Sequence, residues 1–351
     1  MRYPRAAFQA VFTVLFLAVS GCSQQPTGSQ AVAPARLKMF APLPDAMPAA
    51  TGLPSDERAN LGRMLYYDPR LSKGQRISCN TCHPLDKYGV DGEPTSEGHK
   101  GQHGDRNAPT VYNAAAHFAQ FWDGRAATVE AQAKGPVMNP VEMAMPSEAV
   151  VIVTLKSMPE YVAAFNAAFP GERDPVTFDN MATAIGAFER RLVTPSRWDR
   201  FLKGDQNALA PEEKTGFNEF VNAGCQACHA GQLIGGNVYQ KIGLAKAYPD
   251  TSDPGREKIT HAESDRMFFK VPSLRNIEKT APYFHNGKVK TLEEAVTVMG
   301  EYQIGNKLTD SEVRSIVTWL KTLTGEIPAE YVKPPDLPKS TAKTPKPQPA
   351  D

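Results

Sequence analysis

One pentad occurs twice in this chain and constrains its fold more than any other feature: Cys79-Asn80-Thr81-Cys82-His83 and Cys225-Gln226-Ala227-Cys228-His229. Two thiols three residues apart can add to the two vinyl groups of one haem, and the adjacent histidine then reaches the iron from one face. A zinc site would want four convergent ligands and a thioredoxin-like motif a βαβ frame, and neither requires a histidine after each pair. Two structural disulfides are the other reading, at the cost of two small strained loops. The pentads point to two covalently bound haem c groups, attached through Cys79, Cys82, Cys225 and Cys228, with His83 and His229 on the irons. Each iron then needs, or conspicuously lacks, a sixth ligand. His99, His103, His117, His261, His285 and the methionines are candidates by type, and sequence arithmetic does not choose among them.

Five cysteines leave one outside the pentads. Arg2 and Arg5 precede an apolar run over about residues 6–19, too short for a membrane-spanning helix of roughly twenty apolar residues. The run ends in Val19-Ser20-Gly21-Cys22, which resembles the lipobox of bacterial lipoproteins. Residues 1–21 are therefore expected to be an export signal and Cys22 a lipidated anchor, the alternative being a plain secretory signal with a stray cysteine. Ser23, which is not aspartate, suggests outer-membrane rather than inner-membrane sorting. Covalent haem attachment is chemistry of exported proteins, so both features place the chain in the periplasm, touching a membrane only through its lipid. Residues 22–50, rich in Pro and Ala, read as a flexible tether, and residues 329–351, rich in Pro and Lys, as a disordered tail.

At 351 residues the chain is longer than one core requires. Its 41% hydrophobic and 22% charged residues describe a globular protein, and a net charge of +1 excludes a nucleic-acid binder driven by phosphate neutralisation. The periodic segments are helical. Met181, Ile185, Phe188 and Leu192 mark one face of a helix opened by Thr177; Val313, Ile316, Val317, Leu320 and Leu323 mark another, with Thr309 and Glu312 at capping-box spacing. Thr291 and Glu294 repeat that spacing, and Pro211 opens a segment that carries Phe217, Phe220 and Val221 into Gly224-Cys225. Long runs of β-branched alternation are absent. The fold class is mostly α, with long Gly/Pro loops and a weak internal repeat: a capped helix, a pentad, a long loop.

Further segments carry a family resemblance. Thr95-Ser96-Glu97-Gly98-His99, Arg106-Asn107-Ala108-Pro109-Thr110-Val111-Tyr112-Asn113-Ala114 and Phe121-Trp122-Asp123-Gly124-Arg125 lie between the pentads. So do Ala131-Gln132-Ala133-Lys134-Gly135-Pro136 and Asn139-Pro140-Val141-Glu142-Met143. Beyond the second pentad come Val271-Pro272-Ser273-Leu274-Arg275-Asn276, Thr280-Ala281-Pro282-Tyr283-Phe284-His285 and Met299-Gly300. As a set, in register with both pentads over about residues 52–328, they resemble the bacterial dihaem cytochrome c peroxidases.

The resemblance implies two cytochrome c-like domains: residues 51–195, with the peroxidatic haem, and residues 196–328, with the electron-entry haem. It implies His83 and His99 as the resting ligands of the first iron, and His229 and Met299 as those of the second. Thioether ligation raises a haem's potential, suiting that haem to accept electrons. The resemblance further implies Glu142 as the acid/base group for hydrogen peroxide cleavage and Gln132 as its orienting neighbour. Phe121 would lie beside the peroxidatic haem, with Trp122 between the haems as an electron path. Calcium would be held by Asn107 and the carbonyls of Thr280 and Pro282. A homodimer, a small c-type cytochrome or cupredoxin as donor, and a resting enzyme opened by reductive loss of His99 complete the expectation. Residues His103, His117, His261 and His285 are given no role and read as satisfied loop or surface histidines. Two alternatives stand beside it: a dihaem electron-transfer cytochrome without peroxidase activity, and a dihaem oxidase that modifies a partner protein. Members of the latter type are expected to carry tyrosine where this chain has Met299.

Overall fold

The computed structural model describes Met1, residues 31–50 and residues 52–348; the expected signal sequence and Cys22 lie outside the described residues. Helices dominate the described residues, around two main cores. In the N-terminal core, Ser55 caps the Asp56–Tyr67 helix by accepting from the Arg58 amide at 3.3 Å, and Thr177 caps Phe178–Glu189 by accepting from Asn180 at 3.0 Å. The two helices cross with backbones nearly touching at Gly62, where a Cβ would stand 1.8 Å from the Ala184 carbonyl oxygen. Leu61, Leu65, Ile185 and Phe188 fill the space beside the crossing.

The second core repeats the device. Pro211 begins the Pro211–Asn222 helix, and the Thr309/Glu312 capping box opens Asp310–Leu320, Glu312 accepting from the Thr309 amide at 2.7 Å. Gly216 marks this crossing, since a Cβ there would lie 2.1 Å from the Ser315 carbonyl oxygen. Trp198, Phe217, Phe220 and Trp319 pack around it at centroid separations of 4.5 to 5.3 Å. The weak repeat in the sequence is thus a helix crossing made twice, with a pentad after the first helix of each pair. Sequence periodicity does not reveal one short hairpin-like pairing, Tyr239–Lys241 antiparallel to Phe268–Lys270, with Gln240 opposite Phe269.

The expected flexible tether and disordered tail are corrected where they are described. Residues 31–50 form a strap: Phe40, Leu43 and Met47 are buried, the Leu43 amide donates to Asp199 Oδ1 at 2.7 Å, and the Met47 amide donates to the Arg190 carbonyl at 2.8 Å. Leu43 and Met47 join Val193 and Leu233 in a third, small cluster at the domain junction. Residues 329–348 return from the C-terminal half onto the N-terminal core. Tyr331 stacks on Phe188 at 5.1 Å, Arg70 donates to the Pro338 carbonyl at 2.8 Å, and the Gln348 amide donates to the Lys73 carbonyl at 3.0 Å. Proline-rich chain without periodicity can pack as an extended ribbon when a few large side chains anchor it, and composition does not distinguish that from disorder.

Candidate functional site

Each pentad begins with a short helical turn and opens onto its own cavity. Cys79–Cys82 is one helical turn after Ser78, and Cys225–Ala227 is a 3-10 turn that follows the Pro211–Asn222 helix through Gly224 at φ 88°. His83 Nδ1 lies 3.2 Å from the Gly89 carbonyl and His229 Nδ1 lies 3.2 Å from the Ile234 carbonyl. A carbonyl only accepts, so both Nδ1 atoms carry the hydrogen and both Nε2 lone pairs are free to ligate a metal, the arrangement that orients metal-binding histidines. Burial keeps both rings neutral, lowering His229 to about 4 and His83 below its ordinary value. The four pentad cysteines form no disulfide, and burial pushes Cys82 up to about 11 and Cys225 to about 12. Such thiols are not thiolate ligands, and among the described residues no cluster of three or more His, Cys, Asp or Glu converges on a metal ion.

The N-terminal cavity, about 640 Å³, is lined by Cys79, Cys82 and His83 together with Phe121, Gln132 and Glu142. Gln132 comes from the Val129–Met138 helix, which Thr128 caps, and Glu142 from the turn after it. Glu142 Oε1 accepts from Asn139 Nδ2 at 2.8 Å, and burial raises the carboxyl above its usual range. Phe121 adopts φ 65°, with the Arg125 guanidinium over its ring at 3.4 Å. The C-terminal cavity, about 410 Å³, is lined by Cys225, Cys228, His229 and Met299. Met299 starts the Met299–Ile304 segment, a π-helical turn at the end of Leu292–Val298. Trp122 and residues 107–110 line both cavities. The indole is fixed by donating to the Asn107 carbonyl at 3.0 Å, and its own carbonyl accepts from the Lys270 amide at 2.7 Å. The cavities, the free histidine nitrogens and the cysteine spacing fit two haem groups.

The model of the Di-haem cytochrome c peroxidase family matches residues 56–207. The chain is 47% identical over 317 residues to the cytochrome c551 peroxidase of Pseudomonas aeruginosa, covering 88% of this chain and 90% of that protein. It is 50% identical over 296 residues to the cytochrome c551 peroxidase of Nitrosomonas europaea, covering 84% and 87%. The chain belongs to the di-haem cytochrome c peroxidase family. It is a peroxidase, with two covalently bound haem c groups as the family's cofactors. A solved structure of a MauG-like protein associated with microbial copper homeostasis superposes with a TM-score of 0.75 at 29% identity, covering 84% of this chain and 97% of that one.

Other residues expected from the family resemblance are distributed unevenly. Asn107, Thr280 and Pro282 line the C-terminal cavity, and Asn107 Nδ2 donates to the Glu93 carbonyl at 3.0 Å. His99 does not line the N-terminal cavity. It is 8% exposed, its amide donates to the Val141 and Glu142 carbonyls at 2.9 and 2.8 Å, and its Nε2 is buried with no hydrogen-bond partner. His117 and His285 are not the satisfied histidines expected: both Nε2 atoms are buried without a partner on the C-terminal cavity wall. The His285 ring stacks on Phe269 at 4.2 Å and meets Trp122 edge-on at 6.4 Å. Glu189, given no role from sequence, lines the N-terminal cavity at 5% exposure, and burial with the neighbouring Glu130 charge raises it to about 8. A charge at a buried helix position leaves no periodic signal, so only its packing reveals it.

Proposed function

We propose that this chain reduces hydrogen peroxide to two waters, with two protons and two electrons, and that a small c-type cytochrome or cupredoxin delivers the electrons to the C-terminal haem. The observation that carries this reading is the shared wall: Glu142 and Gln132 border the cavity of Cys79 to His83, and Trp122 borders both that cavity and the one with Met299. The haem on Cys79 and Cys82 supplies, when bound, the redox-active iron at which the O–O bond breaks. Glu142 takes the proton from one peroxide oxygen and returns it to the other, which leaves as water. Gln132 orients the peroxide by hydrogen bonding, Phe121 walls the cavity and Trp122 provides the electron path. An electron carrier alone would need no carboxyl at Glu142. A partner-protein oxidase would put tyrosine where Met299 stands, and the nearby Tyr302 packs edge-on against Tyr248 at 5.7 Å.

The same reading gives His99 the part of a gate. In support, the His99 amide is bonded to the Glu142 carbonyl, which links the backbone of the ligand segment to that of the acid/base residue. Asn107 with the Thr280 and Pro282 carbonyls holds calcium at the domain junction, the protein works as a homodimer in the periplasm, and Cys22 carries the lipid that tethers it to the outer membrane. No helix among the described residues is long and apolar enough to cross a membrane.

Stopped-flow peroxide reduction by the dihaem protein, fully oxidised against half-reduced, with calcium present and spectra recorded, tests this. Fast turnover only after half-reduction, as the first haem becomes high-spin, is expected. Equal turnover in both states would remove the gate, and none in either would remove the peroxide reaction.

A further inference from the structure

Lys270 ends the Phe268–Lys270 strand and lies on the wall of the C-terminal cavity with only 4% of its surface exposed. A buried ammonium needs a counter-ion, because taking it out of water costs more than neutral hydrogen bonds return. Among the described residues no carboxylate stands within ion-pair distance of it, and the lining of the whole cavity contains no Asp or Glu. Its one polar partner is His117, whose Nδ1 lies 3.2 Å from Lys270 Nζ. An ammonium only donates, so His117 Nδ1 accepts and the hydrogen of the ring sits on Nε2. That Nε2 is buried on the same wall with nothing to donate to. Gly236 makes room for the ring: a Cβ there would stand 2.6 Å from His117 Cδ2. Two donors, one of them cationic, therefore face a cavity whose lining supplies no carboxylate, and desolvation to about 8 still leaves Lys270 charged at neutral pH.

We propose that Lys270 and His117 form an anion site that receives a carboxylate of the haem attached to Cys225 and Cys228. This rests on the reading of the C-terminal cavity as a haem site. The ligand is a carboxylate on an otherwise apolar planar molecule, which matches a pair flanked on the wall by Phe269, Val271 and Pro272. The pair sets a positive charge beside the electron-entry iron. It also ties that charge to Trp122, whose carbonyl holds the Lys270 amide. Without the ammonium, the carboxylate stands unpaired in a low-dielectric wall and favours the oxidised iron.

The test uses the holoprotein and its K270M, K270R and H117F variants. Pyridine haemochrome absorbance counts haems per chain, and spectroelectrochemical titration reads each haem separately. K270M, with two haems retained, is expected to shift the C-terminal haem toward the oxidised form at least tenfold at fixed potential, about 59 mV for a one-electron couple. K270R is expected to stay near the parent, H117F to shift in the same direction as K270M by less, and the N-terminal haem to move least. Two haems with an unshifted C-terminal potential in both K270M and H117F would overturn the pairing. One haem per chain in the parent protein would instead overturn the haem reading beneath it. If K270M does not fold, H117F against the parent decides the pairing alone.

Discussion

Two glutamates border the N-terminal cavity, and their surroundings fit them for different work. Glu142 is half-buried and keeps a hydrogen-bond donor in Asn139, so its acidity is moved but its charged form is still supported. Replacing it by glutamine keeps that contact's geometry and removes the exchangeable proton. Peroxide turnover by E142Q is expected to fall about 10²- to 10⁴-fold, while the optical spectra and haem content stay as in the parent. A loss under fivefold would take Glu142 out of the proton transfer. Burial and the neighbouring Glu130 charge raise Glu189 from 4.5 to about 8, against the smaller opposing pull of Arg190. The folded chain thus binds a proton that the unfolded chain has released, and stability falls as pH rises between those two values, by up to about 1.4 kcal/mol per pH unit. E189Q removes the ionisable group. Denaturant titrations at a series of pH values are expected to show its stability advantage over the parent widening from pH 5 to pH 8. Parallel curves would mean that Glu189 does not titrate in that window.

Helices are the level at which the sequence was most legible, and the reasons are local. The Thr177 cap, the Thr309/Glu312 box and Pro211 at a first helical turn are chemical statements within four residues of chain, and each stands where it was expected. Only the amide-accepting half of the Thr291/Glu294 pairing forms, with Glu294 accepting from Lys290 instead of Thr291. What the local signals miss is how helices meet. Gly62 and Gly216 read along the chain as weak points in helices, because glycine costs about 1 kcal/mol there relative to alanine. Across the crossings they are required, since a methyl group at Gly216 would sit 2.1 Å from the Ser315 oxygen and 3.0 Å from Trp319 Cβ. Alanine at Gly216 would improve helix propensity yet force the helices apart. The expected result is a net loss of about 1–3 kcal/mol, measured by denaturant unfolding, with the Cys225–His229 turn displaced and the spectrum of the C-terminal haem altered. An alanine variant as stable as the parent would show that the crossing can open without penalty.

On the scale of the whole molecule, the pentads and the resemblance located both cavities from sequence, but the way the halves are fastened was not legible. The buried Arg275–Asp199 pair at 2.7 Å lies within the C-terminal half and anchors the N-terminal strap there: Asp199 also accepts from the Leu43 amide and Arg275 also donates to the Gln232 carbonyl at 2.8 Å, while the Met47 amide of the same strap donates to the Arg190 carbonyl of the N-terminal half. Long-range pairings of this kind have no spacing to read. The C-terminal strap is the other fastening, and its proline and lysine content hid it, because only Val332, Pro338 and Thr344 are buried, with Tyr331 half-buried, while most of the rest stays at the surface. Tyr331 donates to the Phe188 carbonyl at 3.0 Å and Thr341 Oγ1 to the Ser157 carbonyl at 2.8 Å, both in the N-terminal half, though the strap emerges from the C-terminal half. It therefore ties the domain with Glu142 to the domain with Met299 by a connection other than the interface around Trp122. Truncation after Pro328 would expose the faces of Tyr67 and Phe188 and remove these bonds, with both haem cavities left intact. The expected outcome is two haems per chain with unchanged potentials, a lower midpoint for thermal unfolding of the N-terminal half, and earlier proteolysis there than in the C-terminal half. Loss of the C-terminal haem signal before the N-terminal one on heating would show instead that the strap stabilises the half it leaves and not the half it reaches.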